Sequence, residues 1–207
     1  MSVNFPTVPV YSQTGPGGIA IINGERDAVL AGVAFSYSSA STGVLAKAAD
    51  TSPVMMLWNP AGSGVNLRIQ RLMIGAVSGT VILSSLGWGV IKNAGSQVGT
   101  AAPVVSFTAA AATNRLVGGN GKASLINFAP ATVSVTTAPT FVESWGLSAG
   151  GALAAGPIFA LDLNIAGQIV IAPGTAFFPF LSNGAMALTA VVTVFATEEP
   201  VTAGLTF

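Results

Sequence analysis

The chain has 207 residues, 51% of them hydrophobic and only 7% charged, and its seven basic and seven acidic residues cancel to a net charge of zero. Such a chain projects no field to gather DNA, RNA or an anionic membrane surface, so nucleic acid is not an expected partner. It contains neither cysteine nor histidine, which removes thiolate nucleophiles, disulfides, zinc and iron–sulfur ligation and imidazole bases together. No cofactor, metal or catalytic activity is expected.

Short runs of Val, Ile, Thr and Phe bounded by Gly, Pro, Asn and Ser predict an all-β chain, with 25 glycines and 12 prolines as punctuation. Residues 1–18 are rich in Pro, Gly and Ser and read as an extended arm. Pro6 and Pro9 stand where a signal peptide would carry its apolar stretch, and no basic residues precede them. The arm's apolar side chains, Phe5, Val8, Val10 and Tyr11, gain most by lying along a neighbouring subunit. Arg26 and Asp27, after Asn23-Gly24-Glu25, form the densest charge cluster. They begin a short helix through Leu30 capped by Asn23, or make ion pairs with a neighbouring subunit, which is the preferred reading, or lie in a plain solvated turn. The expected division is an arm over 1–30, a β-sandwich over 31–199 and a tail over 200–207.

Eleven strands are expected, near 32–37, 53–59, 66–77, 80–92, 115–117, 122–127, 140–147, 158–163, 168–172, 176–181 and 186–197. That spacing suits a sandwich or barrel. In the third strand Leu67 and Ile69 alternate with Arg68 and Gln70, and Arg71 then breaks the pattern before Leu72 and Ile74, as a bulge or face swap would. Arg68 and Arg71 either meet acids across a two- or three-fold axis or are surface charges; Asp162 is an outward residue or a partner for an arginine. The last strand is apolar on both faces, fitting a place inside the sandwich and near a subunit contact. Ala109 to Ala112 is either one helical turn or a loop against a neighbour.

Three further segments invite chemistry. Gly118-Gly119-Asn120-Gly121-Lys122 looks like a phosphate loop, but Ala123 stands where Ser or Thr is needed, so a hairpin turn is the expectation. Glu198 and Glu199 are adjacent, are expected beyond the last strand, and point to opposite faces, which denies them a shared reaction centre. Glu143 beside Trp145 pairs an acid with an aromatic platform, the arrangement of a glycan contact; Trp88 between Gly87 and Gly89 offers a second such groove.

No segment has the roughly 20 apolar residues of a spanning helix, and aromatic residues, 8% of the chain, form no paired girdles of a membrane barrel. No membrane is expected. A folded chain of this size exposes about 8,800 Å², and fourteen charged residues fall short of the roughly 25–35% charged surface of a lone soluble domain. Other subunits should cover much of this surface.

Two segments carry a family resemblance. Trp58-Asn59-Pro60-Ala61-Gly62-Ser63-Gly64-Val65-Asn66-Leu67-Arg68-Ile69, a strand ending in Asn-Pro, a Gly-rich turn and a second strand, resembles a pattern of tailed-bacteriophage virion proteins. Gly167-Gln168-Ile169-Val170-Ile171-Ala172-Pro173-Gly174-Thr175, followed by 184–200 with its Glu198-Glu199-Pro200 exit, is similar to the close of phage jelly-roll domains. The resemblance implies a jelly-roll-like β-sandwich with an extended N-terminal arm, acting as a capsid decoration (cement) protein. Such proteins are usually homotrimers on the major capsid protein at the capsid surface, made in the host cytoplasm. A head fibre, collar or tail component that binds a host receptor or glycan is the alternative.

Overall fold

The computed structural model describes residues 12–13, 19–20, 25–39, 46–47, 54–81, 86–92, 104–116, 122–144, 151–152, 160–181 and 187–201, and most of them are in strands. β1 (Ser12–Gln13) and β2 (Ile19–Ala20) form a minimal antiparallel pair, and helix α1 (Glu25–Leu30) follows. The strands then run β3 (Ala34–Ser38), β4 (Ala46–Lys47), β5 (Val54–Asn59), β6 (Val65–Val81), β7 (Leu86–Lys92) and β8 (Val104–Phe107). After them come β9 (Thr113–Asn114), β10 (Asn127–Val135), β11 (Thr140–Ser144) and β12 (Gly151–Ala152). The series closes with β13 (Ala160–Ile171), β14 (Thr175–Leu181) and β15 (Ala187–Pro200).

These strands make an all-β sandwich. One sheet has the order β11-β7-β14-β5-β10-β8 with β4 beside β14; the other has β12-β6-β15-β3-β9 with β13 beside β6. Among the described residues every ladder is antiparallel except the short β4–β14 contact. The inward residues form one core: Phe35 and Tyr37 from β3, Leu57 from β5, Phe177 from β14, and Ala190, Val192, Val194 and Ala196 from β15.

The break at Arg71 is a bulge. Phe195 pairs with Arg71 and the next residue, Ala196, with Ile69, so Gln70 is the extra residue of β6. Leu67 and Ile69 before it and Leu72 and Ile74 after it are all buried in the core, because the inserted residue shifts the two-residue period by one and returns Leu72 to the inner face. β13 answers with its own irregularity at 165–168. There Ala166 and Gly167 take positive φ angles of 51° and 77°, and a Cβ on Gly167 would stand 2.5 Å from the Arg68 side chain. Glycine leaves room for the arginine stem to cross.

β5–β6 and β13–β14 form one long antiparallel ribbon. Gly75 pairs with Ala160, Leu67 with Ile171, and beyond a turn in each strand Asn59 pairs with Thr175 and Leu57 with Phe177. The ribbon passes from one sheet to the other as a unit, and Asn59 holds the corner. Its fully buried amide donates to the Val65 carbonyl at 2.8 Å and the Ile171 carbonyl at 2.9 Å and accepts from the Ser63 hydroxyl, while its backbone carbonyl accepts from Gly174 N–H at 2.8 Å. Gly64 and Gly174 supply positive φ at the two turns.

The outer face of the larger sheet is also apolar. Met56, Trp58, Ala176, Phe178 and Phe180 are buried there with Ile91, Ala129, Val133 and Val135, and Phe107 packs edge-on to Trp58 at 5.8 Å. Thus β5 and β14 bury side chains on both faces, as continuous apolar runs require.

Several sequence expectations need correction. Thr80 and Val81 continue β6, so the strand expected at 80–92 is reduced to β7, and 160–163 with 168–171 belong to one bulged strand. The strand expected at 115–117 is instead at Thr113–Asn114. Asn114 ends it by accepting from Leu116 N–H and donating to the Gly32 and Lys122 carbonyls. Residues 122–126 are not a strand; β10 begins at Asn127 and carries Pro130 in the register shift between Ala129 and Thr132, where a missing N–H is tolerated. β8 was not anticipated. Glu198 and Glu199 lie inside β15, not beyond it. Within the expected extended arm Glu25–Leu30 is helical, and Ser12–Gln13 pairs with Ile19–Ala20. Ala109 to Ala112 is neither helix nor ladder, apart from a single bridge from Ala110 to Phe128. Among the described residues no helix is long and apolar enough to cross a membrane.

Candidate functional site

The edge formed by β7 and β11 gathers the features a binding surface needs. β11 docks on β7 because β7 reads Gly87-Trp88-Gly89. A Cβ at position 87 would stand 1.8 Å from the Glu143 carbonyl oxygen, and one at position 89 would stand 3.0 Å from that of Thr140. The Gly87→Ala variant should therefore push β11 away and cost about 1–3 kcal/mol by overpacking, read as a lower urea midpoint with altered tryptophan fluorescence.

Trp88 and Glu143 face each other across this ladder, and the indole N–H donates to Glu143 Oε2 at 3.0 Å. The ring stacks on Phe177 at 5.7 Å. Among the described residues the aromatic neighbour of Glu143 is Trp88; Trp145 lies outside them. On the other face Phe141 packs against Phe180 at 5.6 Å. Val142 is the extra residue of a bulge, and it and Phe141 remain 48% and 36% exposed. A cleft of about 600 Å³ opens beside them, lined by Val90, Ile91 and Lys92 of β7, by Thr137 and Ala138, and by the start of β11.

The outer face of the smaller sheet holds the charges. Arg68 pairs with Glu199 at 3.1 Å, and Arg71 makes a two-pronged contact with Asp162, its Nε–Oδ1 arm at 2.6 Å. Both arginines therefore have an intrachain carboxylate, and Asp162 is an arginine partner. The hydrogen bonds and charge of Arg71 hold the Asp162 carboxyl below its usual range. Its contribution is present above the ordinary carboxylate pKa and fades as pH falls through the lowered one. Because the pair is half exposed, it adds little to stability. Arg115 lies over the Phe195 ring at 4.7 Å.

A third polar cluster was missed in the sequence. Glu198, 6% exposed, accepts from the Ser124 hydroxyl, from Leu125 N–H at 3.0 Å and from the Tyr37 hydroxyl at 3.4 Å. It continues the inward series Ala190, Val192, Val194, Ala196, and that alternation is the signal that could have placed it. Burial first, and then the adjacent carboxylate, raise the Tyr37 pKa far above its ordinary value of 10.0. A raised pKa means the folded state keeps the proton, so stability present below pH 10 is lost as pH rises further. The phenolate absorbance of Tyr37, one of two tyrosines, should accordingly appear only together with unfolding.

Arg26 and Asp27 are on α1, as the short-helix reading had them. Phe5, Val8, Val10 and Tyr11 lie outside the described residues, as does the glycine turn at 117–121. Among the described residues no three metal-ligating side chains converge. No protein-family model, curated protein or solved structure matches the chain.

Proposed function

We propose that this chain is a structural virion protein, a decoration protein that binds and stabilises the capsid of a tailed bacteriophage without catalytic turnover. The observation that supports this reading is the Asn59 corner. The two segments that resemble phage virion proteins, separated by 97 residues in sequence, meet there and turn together as one ribbon. A ribbon that changes sheets intact is how a jelly roll is wrapped, so the finer description of the sandwich as jelly-roll-like has the same support. Homotrimers on the major capsid protein, with the arm residues Phe5, Val8, Val10 and Tyr11 stapled to a neighbour, complete the proposal.

The Trp88–Glu143 pair favours a second reading, a head fibre, collar or tail component whose acid and aromatic platform meet a host glycan. Mixing purified protein with empty capsids and with host envelopes separates the two. Co-sedimentation with capsids, unaffected by Glu143→Gln, is the expected result. Binding to envelopes alone, lost on Glu143→Gln, would establish the alternative.

A further inference from the structure

The β7–β11 edge has a charge pattern that complements itself. Glu143 pairs with Trp88 near one end of β7, and Lys92 lies four residues further along the same strand and on the same face. The two are roughly 13 Å apart along the strand direction. Between them on that face lie Thr140 and the buried Val90, and the exposed Val142 bulges from β11 with the 600 Å³ cleft alongside, while Phe141 points to the opposite face. Lys92 and Glu143 are both exposed, and Lys92 meets no carboxylate among the described residues. Acid at one end, base at the other and an apolar middle is the requirement of an isologous contact, in which a two-fold axis interchanges the ends.

We infer that this edge is a contact between two copies of the chain, related by a two-fold axis near the Val90–Thr140 pair, with Lys92 of each copy against Glu143 of the other. Val142 of each copy enters the cleft beside its partner's β7. The bulge at Val142 interrupts the backbone pattern that would extend the sheet from copy to copy, so side-chain packing makes the contact. The inference stands apart from the trimer proposed above. On a particle, a two-fold contact of this kind would join one trimer to the next.

Charge reversal tests it. Sedimentation over a concentration series should show even-numbered association of the wild-type chain, and Lys92→Glu or Glu143→Lys alone should weaken it about a hundredfold by setting like charges together twice. The double exchange K92E/E143K should recover most of the loss, with circular dichroism confirming an unchanged sandwich in each variant. A wild-type chain that is monomeric at every concentration would overturn the inference. So would association indifferent to both reversals, and trimers with that behaviour would leave the trimer reading intact. Failure of the double exchange to recover would trace the effect of Glu143 to Trp88 and also overturn it. A monomer whose tryptophan fluorescence responds to added oligosaccharide would give the cleft to a glycan instead.

Discussion

Replacing Asn59 by alanine should destabilise the protein by about 2–5 kcal/mol, since two buried carbonyls lose their donor at about 1–3 kcal/mol each. Asn59 is fully buried, and its amide satisfies Val65 and Ile171, which belong to the two strands of the ribbon as it turns. Ser63 compensates in part, because its hydroxyl already reaches the Val65 carbonyl at 3.3 Å; among the described residues no second side chain donates to the Ile171 carbonyl. Asn59→Asp should be no milder. It places carboxyl oxygen against carbonyl oxygen, or demands a bound proton. Against a total of about 5–15 kcal/mol, either variant removes a large share of the folding free energy, measurable as a fall in the urea midpoint. A change within 0.5 kcal/mol, roughly that of a neutral surface substitution, would show that the corner holds without its amide.

Glu198→Ala should have a comparable effect, about 3–5 kcal/mol, because three donors lose one acceptor inside the sandwich. Leu125 N–H is the most affected, since both carboxylate oxygens lie within reach of it, at 3.0 and 3.2 Å. Glu198→Gln keeps one acceptor and turns an NH₂ toward donors, so its loss should be intermediate. Tyr37→Phe gives up only the 3.4 Å contact with the acid and the 3.0 Å contact with Ser124 and should cost least, while removing the alkaline transition assigned to this phenol. Denaturation of the three variants should rank them in that order. A Tyr37→Phe variant as unstable as Glu198→Ala would mean that the ring hydroxyl, not the carboxylate, organises the cluster.

How far the sequence could be read depended on how strictly it alternates. The bulge at Gln70–Arg71 was legible because two polar residues in succession, Gln70 and Arg71, fall where one period ends and another begins, and burial of Leu67, Ile69, Leu72 and Ile74 agrees with that reading residue by residue. β10 was not legible, since Pro130 argues against a strand unless a register shift is already known to lie there. β8 is four residues long, too short to carry a period. Of the candidate edge, Glu143 and the Gly87-Trp88-Gly89 run were separately visible, but only the β7–β11 register brings them together. Glu198 was hidden by its neighbour: an adjacent pair of acids suggests a solvated exit, and the inward alternation that buries one of them had to be followed two residues past the last apolar side chain.

The ribbon also sets a schedule for synthesis. Its partners Gly75 and Ala160 are 85 residues apart and Leu57 and Phe177 are 120 apart, by subtraction of their numbers. Contacts of such separation make folding slow. At about 5–20 residues per second on the ribosome, the first strand of the ribbon emerges roughly 4 to 24 s before its complement exists. During that wait Met55, Leu57, Leu67 and Ile69, all destined for the core, have no β13 or β14 to cover them. Arg68 and Arg71 then act as register marks. A slip of one residue on closing would turn both guanidinium groups into the sandwich, so the wrong alignment is rejected by the same charges that, in the right one, find Glu199 and Asp162 on the outer face.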